Sequence, residues 1–207
     1  MPLLTIHTTP FLGIWKIEES SGQFLSLLER KEEYLPELEK IRTEHRRQEW
    51  LATRVLLQQM LGRFCRIAYH PNGAPYLPET SFYISISHTK GYAALLLQTQ
   101  PAAGVDIEYR SGRVLKIRNR FMNPEEEVRL DPQHETEHLL IHWCAKEALF
   151  KMIGQEGVDF RHHLHICPFG YAPEGRFNVC ETRTDKCVKY RMAYRIHPDF
   201  VLVWSEP

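Results

Sequence analysis

Hydrophobic and polar positions alternate loosely from residue 5 to residue 18, which predicts a strand interrupted at Pro10, and Ser20-Ser21-Gly22 predicts a break after it. From Gln23 to about Leu61 the apolar spacing turns helical in at least two pieces, with Pro36 marking a start. The piece from Thr43 to Leu61 offers Trp50, Leu51, Val55, Leu57 and Leu61 as core positions. A turn follows at Pro71-Asn72-Gly73-Ala74-Pro75. Phe82 to Ser87 and Tyr92 to Leu97 then read as a hairpin with Ser87 and His88 at its end. Val105 to Glu108 predicts another strand, and the run from Trp143 through Lys151 predicts a helix that nothing interrupts before Gly154. From Phe177 to Trp204 the alternation predicts strands with turns at Thr184-Asp185 and Pro198-Asp199, supplying sheet and core without chemistry of their own.

Composition narrows the class. The chain has 207 residues, 43% hydrophobic and 25% charged, enough for one large domain or two small ones. Its 26 Lys plus Arg balance 26 Asp plus Glu, so the global basic field that nucleic acid would call for is missing. Five scattered cysteines without a C-x-x-C argue against a disulfide framework or zinc ribbon and fit a reducing, cytoplasmic setting. The N-terminal stretch reads as neither signal peptide nor membrane span, and the longest purely apolar run elsewhere is Ala93 to Leu97.

Two stretches point to chemistry. In the helix, Trp143, Glu147 and Lys151 stand at i, i+4 and i+8 and share a face. In the strand, Asp106 and Glu108 are two apart and leave the same side of a sheet, although acids are poor strand formers. A hard cation such as Mg²⁺ gives such carboxylates a reason to be there. The plain alternatives are an ordinary Glu147–Lys151 surface pair, worth about 0.2–0.5 kcal/mol, and a solvated sheet edge. Upstream, Arg46 and Arg54 are eight apart, read as facing the same way, and would suit a phosphate; a solvated helix face is the alternative. The basic stretch Arg110, Arg113, Lys116, Arg118, Arg120, with Val114, Leu115, Ile117, Phe121 and Met122 interleaved, could form an amphipathic helix. His134-Glu135-x-x-His138 matches the zinc-peptidase helix pattern at a frayed helix start, and His162-His163-x-His165-x-Cys167 is a second possible metal tract.

Gly104-Val105-Asp106-Ile107-Glu108, followed some forty residues later by Trp143-x-x-Lys146-Glu147-Ala148-x-x-Lys151, resembles the paired signature of the 4'-phosphopantetheinyl transferases, specifically the monomeric surfactin-synthetase-activating type. The resemblance implies transfer of 4'-phosphopantetheine from coenzyme A to a serine of an apo acyl carrier protein or peptidyl carrier domain, with release of adenosine 3',5'-bisphosphate. It implies that Asp106, Glu108 and Glu147 hold Mg²⁺ against the coenzyme A pyrophosphate, with Glu147, Lys151 and Lys146 as the catalytic set. Arg46 and Arg54 match the arginines that grip the 3'-phosphate. Ser87-His88 matches a Ser-x-Ser-His segment whose histidine contacts coenzyme A phosphate, and Gly73-x-Pro75 matches a segment near the adenine, with Asn72 and Ala74 where a Lys or Arg commonly adjoins the glycine. The basic stretch after Glu108 would dock the acidic carrier.

The implied fold is α+β: two pseudo-symmetric halves, residues 1–100 on the coenzyme A side and 101–207 carrying the metal-binding and catalytic motifs, with the active site at their interface. A weak internal repeat, Trp50 to Leu57 against Trp143 to Phe150, agrees with a duplicated unit. Partners are expected to be coenzyme A and a carrier protein, with no nucleic acid or membrane, and the protein a monomer. Alternatives from other classes are a non-catalytic binder of coenzyme A or carrier protein, and the zinc peptidase.

Overall fold

The structure, a computed structural model, describes residues 3–8, 10–184 and 188–207. The chain divides into two compact units, residues 1–99 and 100–207. It is an α+β fold whose sheets are antiparallel throughout.

In the first unit, β1 (Leu3–Thr8) and β2 (Phe11–Lys16) form a hairpin that turns at Pro10, where Leu12 N–H donates to the Pro10 carbonyl at 2.9 Å. The expected break at 20–22 is instead a helix start. Ser20 caps α1 (Ser21–Leu27) in a reciprocal box with Gln23, because its side chain satisfies an amide that the first turn leaves without a partner. After a 3₁₀ turn at Lys31–Glu33 come α2 (Leu35–Lys40), with Pro36 in its first turn, and α3 (Glu44–Leu61), capped by Thr43. The short ribbon of β3 (Ala68–Tyr69) and β4 (Pro75–Tyr76) is closed by Gly73, whose φ of 83° a side chain would disfavour. The hairpin β5 (Tyr83–Thr89) and β6 (Tyr92–Gln98) completes a sheet of order β1-β2-β6-β5. Strand β6 is central and entirely buried. Trp15, Phe24, Leu51, Val55, Leu56, Leu57 and Leu95 form the core between α3 and the sheet, each burial worth about 1.5–3 kcal/mol.

The second unit opens with β7 (Val105–Tyr109), then α4 (Arg113–Ile117), a 3₁₀ turn at Arg118–Arg120, and α5 (Pro124–Glu127), boxed by Asn123 and Glu126. The single amphipathic helix expected over this basic stretch is thus two short turns. The long helix α6 (Glu135–Ile153) ends at Gly154 in the left-handed region. Next come β8 (Leu164–Ile166), β9 (Glu174–Glu181), β10 (Lys189–Ile196) and β11 (Phe200–Ser205), giving the sheet order β7-β11-β10-β9-β8. Helix α6 lies on this sheet, packing Ile141, Cys144, Ala145 and Ala148 into a core with Val179, Met192, Val201 and Val203. A turn falls at Pro198-Asp199 as expected, while Asp185 of the other expected turn lies outside the described residues. Cys65, Cys144 and Cys167 are free thiols; Cys187 is outside the described residues. No helix among the described residues is long and apolar enough to cross a membrane.

Candidate active site

The acidic strand and the Trp-x-x-Lys-Glu helix meet within the second unit. Strand β7 pairs with β11 in a register that sets Asp106 opposite Val203 and Glu108 opposite Val201, so both carboxylates leave the same sheet face. Helix α6 receives them with the three side chains of its predicted stripe. Trp143 Nε1–H donates to Glu108 Oε1 at 3.1 Å. One turn on is Glu147, and a turn further Lys151 Nζ donates to Asp106 Oδ1 at 2.8 Å and to the Val105 carbonyl at 2.9 Å. Gly104 makes this closeness possible. A Cβ there would stand 2.5 Å from the Ala148 carbonyl oxygen and 2.6 Å from Met152 Cγ, so the glycine of Gly-Val-Asp-Ile-Glu is a steric requirement of strand meeting helix.

Electrostatics single out Glu147. Burial, and after it the charge of Asp106, push its carboxyl up to about 7; Glu108 adds to the rise and Lys151 opposes it. The cluster therefore holds more negative charge than Lys151 alone offsets. That donor set, three hard oxygen acids with surplus charge, fits a divalent cation. Among the described residues, no three His, Cys, Asp or Glu side chains are yet close enough together to hold a metal ion. Lys151 and Trp143 instead hold the outer two carboxylates.

The first unit gathers a second charged cluster. Glu49, buried on α3, has Oε2 3.0 Å from Arg46 Nη1 and Oε1 3.0 Å from His45 Nε2 and 3.4 Å from His88 Nδ1. Arg54 is elsewhere. Its guanidinium lies 3.9 Å from the Trp50 ring centroid and donates to the Trp50 carbonyl, Thr53 and the Tyr69 hydroxyl. Burial lowers its pKa, with the Tyr69 oxygen pushing back.

Comparison with known proteins places these features in a family. The family model of the 4'-phosphopantetheinyl transferase superfamily matches residues 102–203, and that of the 4'-phosphopantetheinyl transferase N-terminal domain matches residues 39–98. The chain is 33% identical over 132 residues to the 4'-phosphopantetheinyl transferase AcpT of Escherichia coli O157:H7, across 58% of this chain and 68% of that protein. The chain belongs to the 4'-phosphopantetheinyl transferase superfamily. A 4'-phosphopantetheinyl transferase of Bacillus subtilis is 28% identical over 145 residues, 62% of each chain. The protein is a transferase enzyme.

Several sequence expectations are corrected in detail. Arg46 and Arg54 do not face the same way: the Arg46 side chain is 63% exposed, whereas Arg54 as a residue is 5% exposed. Their partners differ: Arg46 pairs with Glu49, whereas Arg54 lies over the Trp50 ring and donates to the Tyr69 hydroxyl. Ser87 and His88 do lie at the turn end of the hairpin, in the last residues of β5, where they pair with Ala94 and Ala93. Lys146 has no exposure at all. It donates to Glu126 Oε2 at 2.7 Å and to the carbonyls of Phe121 and Phe160, and burial lowers its pKa against the pull of Glu126. Glu126 also accepts from the amides of Asn123 and Ile166, so this buried pair ties α5 and β8 to the transferase's long helix. In the basic stretch, Arg118 is held by Glu127 and by Glu135 at 2.8 Å, and Arg110 by Glu137.

The histidine motifs are also engaged. His134 stands at the N-cap position of α6 without a side-chain cap bond, its ring stacked on Tyr171 at 4.1 Å and its Nδ1 near Asp131, while Glu135 pairs with Arg118 and His138 Nδ1 accepts from the Asp131 amide. His162 pairs with Asp159, and His163 Nδ1 accepts the Asp159 amide. These contacts and the superfamily membership displace the zinc-peptidase reading. Sequence reasoning missed Glu49, Glu126 and the role of Gly104. A glycine opening an acidic strand was the one available signal, since Glu49 and Glu126 look like ordinary helix-surface acids.

Proposed function

We propose that this transferase moves 4'-phosphopantetheine from coenzyme A to the serine hydroxyl of an apo acyl carrier protein or peptidyl carrier domain. It would act as a cytoplasmic monomer of the surfactin-synthetase-activating type, with residues 1–100 serving coenzyme A and residues 101–207 the chemistry. The observation that carries this reading is the convergence of Asp106, Glu108, Glu147 and Lys151 on one side of the second unit. Phosphoryl transfer asks for an aligned nucleophile and charge neutralisation rather than for covalent help from the protein. The serine oxygen forms a bond to the phosphorus that bears the pantetheine, the anhydride P–O bond breaks, and its electron pair leaves with adenosine 3',5'-bisphosphate.

Glu147 takes the serine proton, directly or through a water. Lys151 exchanges Asp106 for a pyrophosphate oxygen and steadies the departing charge. Mg²⁺ held by Asp106, Glu108 and Glu147 would, when bound, offset the charge that builds on the pyrophosphate. In the first unit, Arg46 supplies a cation and His88 a ring nitrogen for coenzyme A phosphate, and Arg54, buried among neutral acceptors, adds a second cation. Ser87 and the Gly73–Pro75 turn would line the nucleotide side. Lys146 acts from within, as an anchor for the helix.

Intact-protein mass spectrometry tests the proposal. An apo acyl carrier protein and an apo peptidyl carrier domain, each incubated with the enzyme, coenzyme A and Mg²⁺, should gain one phosphopantetheine, and EDTA should abolish the gain. Glu147→Ala should fold and give none. No gain on either carrier, or full turnover by Glu147→Ala, would refute the assignment.

A further inference from the structure

Glu49 is a carboxylate on the helix that faces the first unit's sheet, with 7% of its side chain exposed, and three cationic or protonatable side chains converge on it. Such a buried acid ordinarily costs stability unless its charge is matched. Here its oxygens are divided: one serves Arg46, the other His45 and His88. Two of these partners come from the first turn of α3 and the third from β5, so the carboxylate is what draws helix and strand cations to a single point. Their outward faces remain in contact with solvent, at 63% exposure for Arg46, 61% for His45 and 37% for His88, while Glu49 lies beneath them. Arg46 spends one guanidinium N–H on Glu49 and has five to offer.

We propose that Glu49 is a positioning residue that assembles Arg46, His45 and His88 into one anion-binding cluster for the phosphomonoester of the nucleotide cosubstrate. A phosphomonoester carries about −1.5 to −2 at neutral pH, which suits a guanidinium flanked by two imidazole rings around a single buried counter-charge. Glu49 contributes by ordering: an exposed arginine otherwise surrenders rotamer freedom each time it binds. Both the ligand and its phosphomonoester rest on the coenzyme A reading above.

The test compares coenzyme A with 3'-dephospho-coenzyme A by calorimetry, alongside steady-state transfer to an apo carrier protein. In Glu49→Gln the Kd and KM for coenzyme A should rise about tenfold. The dephospho form should bind within about twofold of wild type and kcat should stay within about twofold. Arg46→Gln, at an exposed position, should show the same selective loss and keeps the test open should Glu49→Gln fold poorly. The double variant should be no worse than the weaker-binding single, because the two act as a unit. Unchanged or tighter coenzyme A binding by Glu49→Gln, equal weakening toward both nucleotides, or additive single effects would each overturn the proposal while leaving the transferase reading intact. Wild-type protein that binds neither nucleotide and modifies no carrier would overturn both.

Discussion

Gly104→Ala adds one methyl group where β7 enters its sheet and meets α6. The new Cβ would lie 2.5 Å from the Ala148 carbonyl oxygen, with Met152 Cγ at 2.6 Å and Sδ at 2.8 Å. Met152 can swing away, but a helical backbone carbonyl cannot. Restoring ordinary contact requires strand and helix to part by about 0.9 Å. Overpacking of this kind costs about 1–3 kcal/mol; in a chain of this size about 2 kcal/mol lowers Tm by roughly 4–8 °C. The same displacement lies beside Glu147 and alters its spacing from Asp106 and Glu108, and a misplacement near 1 Å can cost about a hundredfold in rate. We therefore expect kcat for carrier modification to fall by about ten- to a hundredfold, read from initial rates by mass spectrometry, with Tm read by scanning fluorimetry. Gly22→Ala is the control. It sits in α1 with nothing within 4 Å of its prospective Cβ, so the same chemical change should be neutral or stabilising by about 0.5–1 kcal/mol. A Gly104→Ala enzyme with wild-type Tm and kcat would refute the argument; a lowered Tm with unchanged kcat would sever the packing from the chemistry.

Lys146→Ala should lose about 3–5 kcal/mol in urea denaturation, because it strands a buried Glu126. Lys146→Met combined with Glu126→Leu should regain much of that stability and part of the transfer rate; a stable but wholly inactive double variant would return Lys146 to the chemistry. His142 is buried with its Nδ1–H donated to the His138 carbonyl, and burial brings its pKa from 6.5 to about 3. Between those values the unfolded chain binds a proton that the folded one refuses, so stability is whole above about pH 6.5 and falls as pH drops. By pH 5 the loss should reach about 2 kcal/mol. His142→Leu should flatten that acid limb in urea midpoints taken at pH 7.5 and 5.0, and parallel losses in variant and wild type would disprove it.

Much of this site was legible because helix and strand periods are short-range rules. Trp143, Glu147 and Lys151 had to share a face once the segment was helical, and Asp106 and Glu108 had to share a face once theirs was a strand. Arg46 and Arg54 have the same spacing as Trp143 and Lys151, yet Arg46 turns to Glu49 at the exposed start of its helix while Arg54 is buried against Trp50 and Tyr69, so tertiary partners rather than spacing separate them. Lys146 reads as a surface lysine in any local window. Its burial follows from Glu126, twenty residues away on a different helix, and no spacing rule links the two. Glu49 was hidden for a related reason, since its partner His88 arrives from a strand almost forty residues later.

The pairing of β7 with β11 has a consequence for the order in which the protein becomes competent. The acidic strand leaves the ribosome nearly a hundred residues ahead of the strand it lies against, residues 200–205. Closing that loop of nearly a hundred residues is a non-local event, slow by comparison with forming α6. Asp106 and Glu108 thus gain a fixed direction only after β11 has docked, and a nascent chain short of it cannot yet present the cluster. Trimming residues 200–207 would silence the enzyme from a segment that contributes no side chain to the proposed reaction.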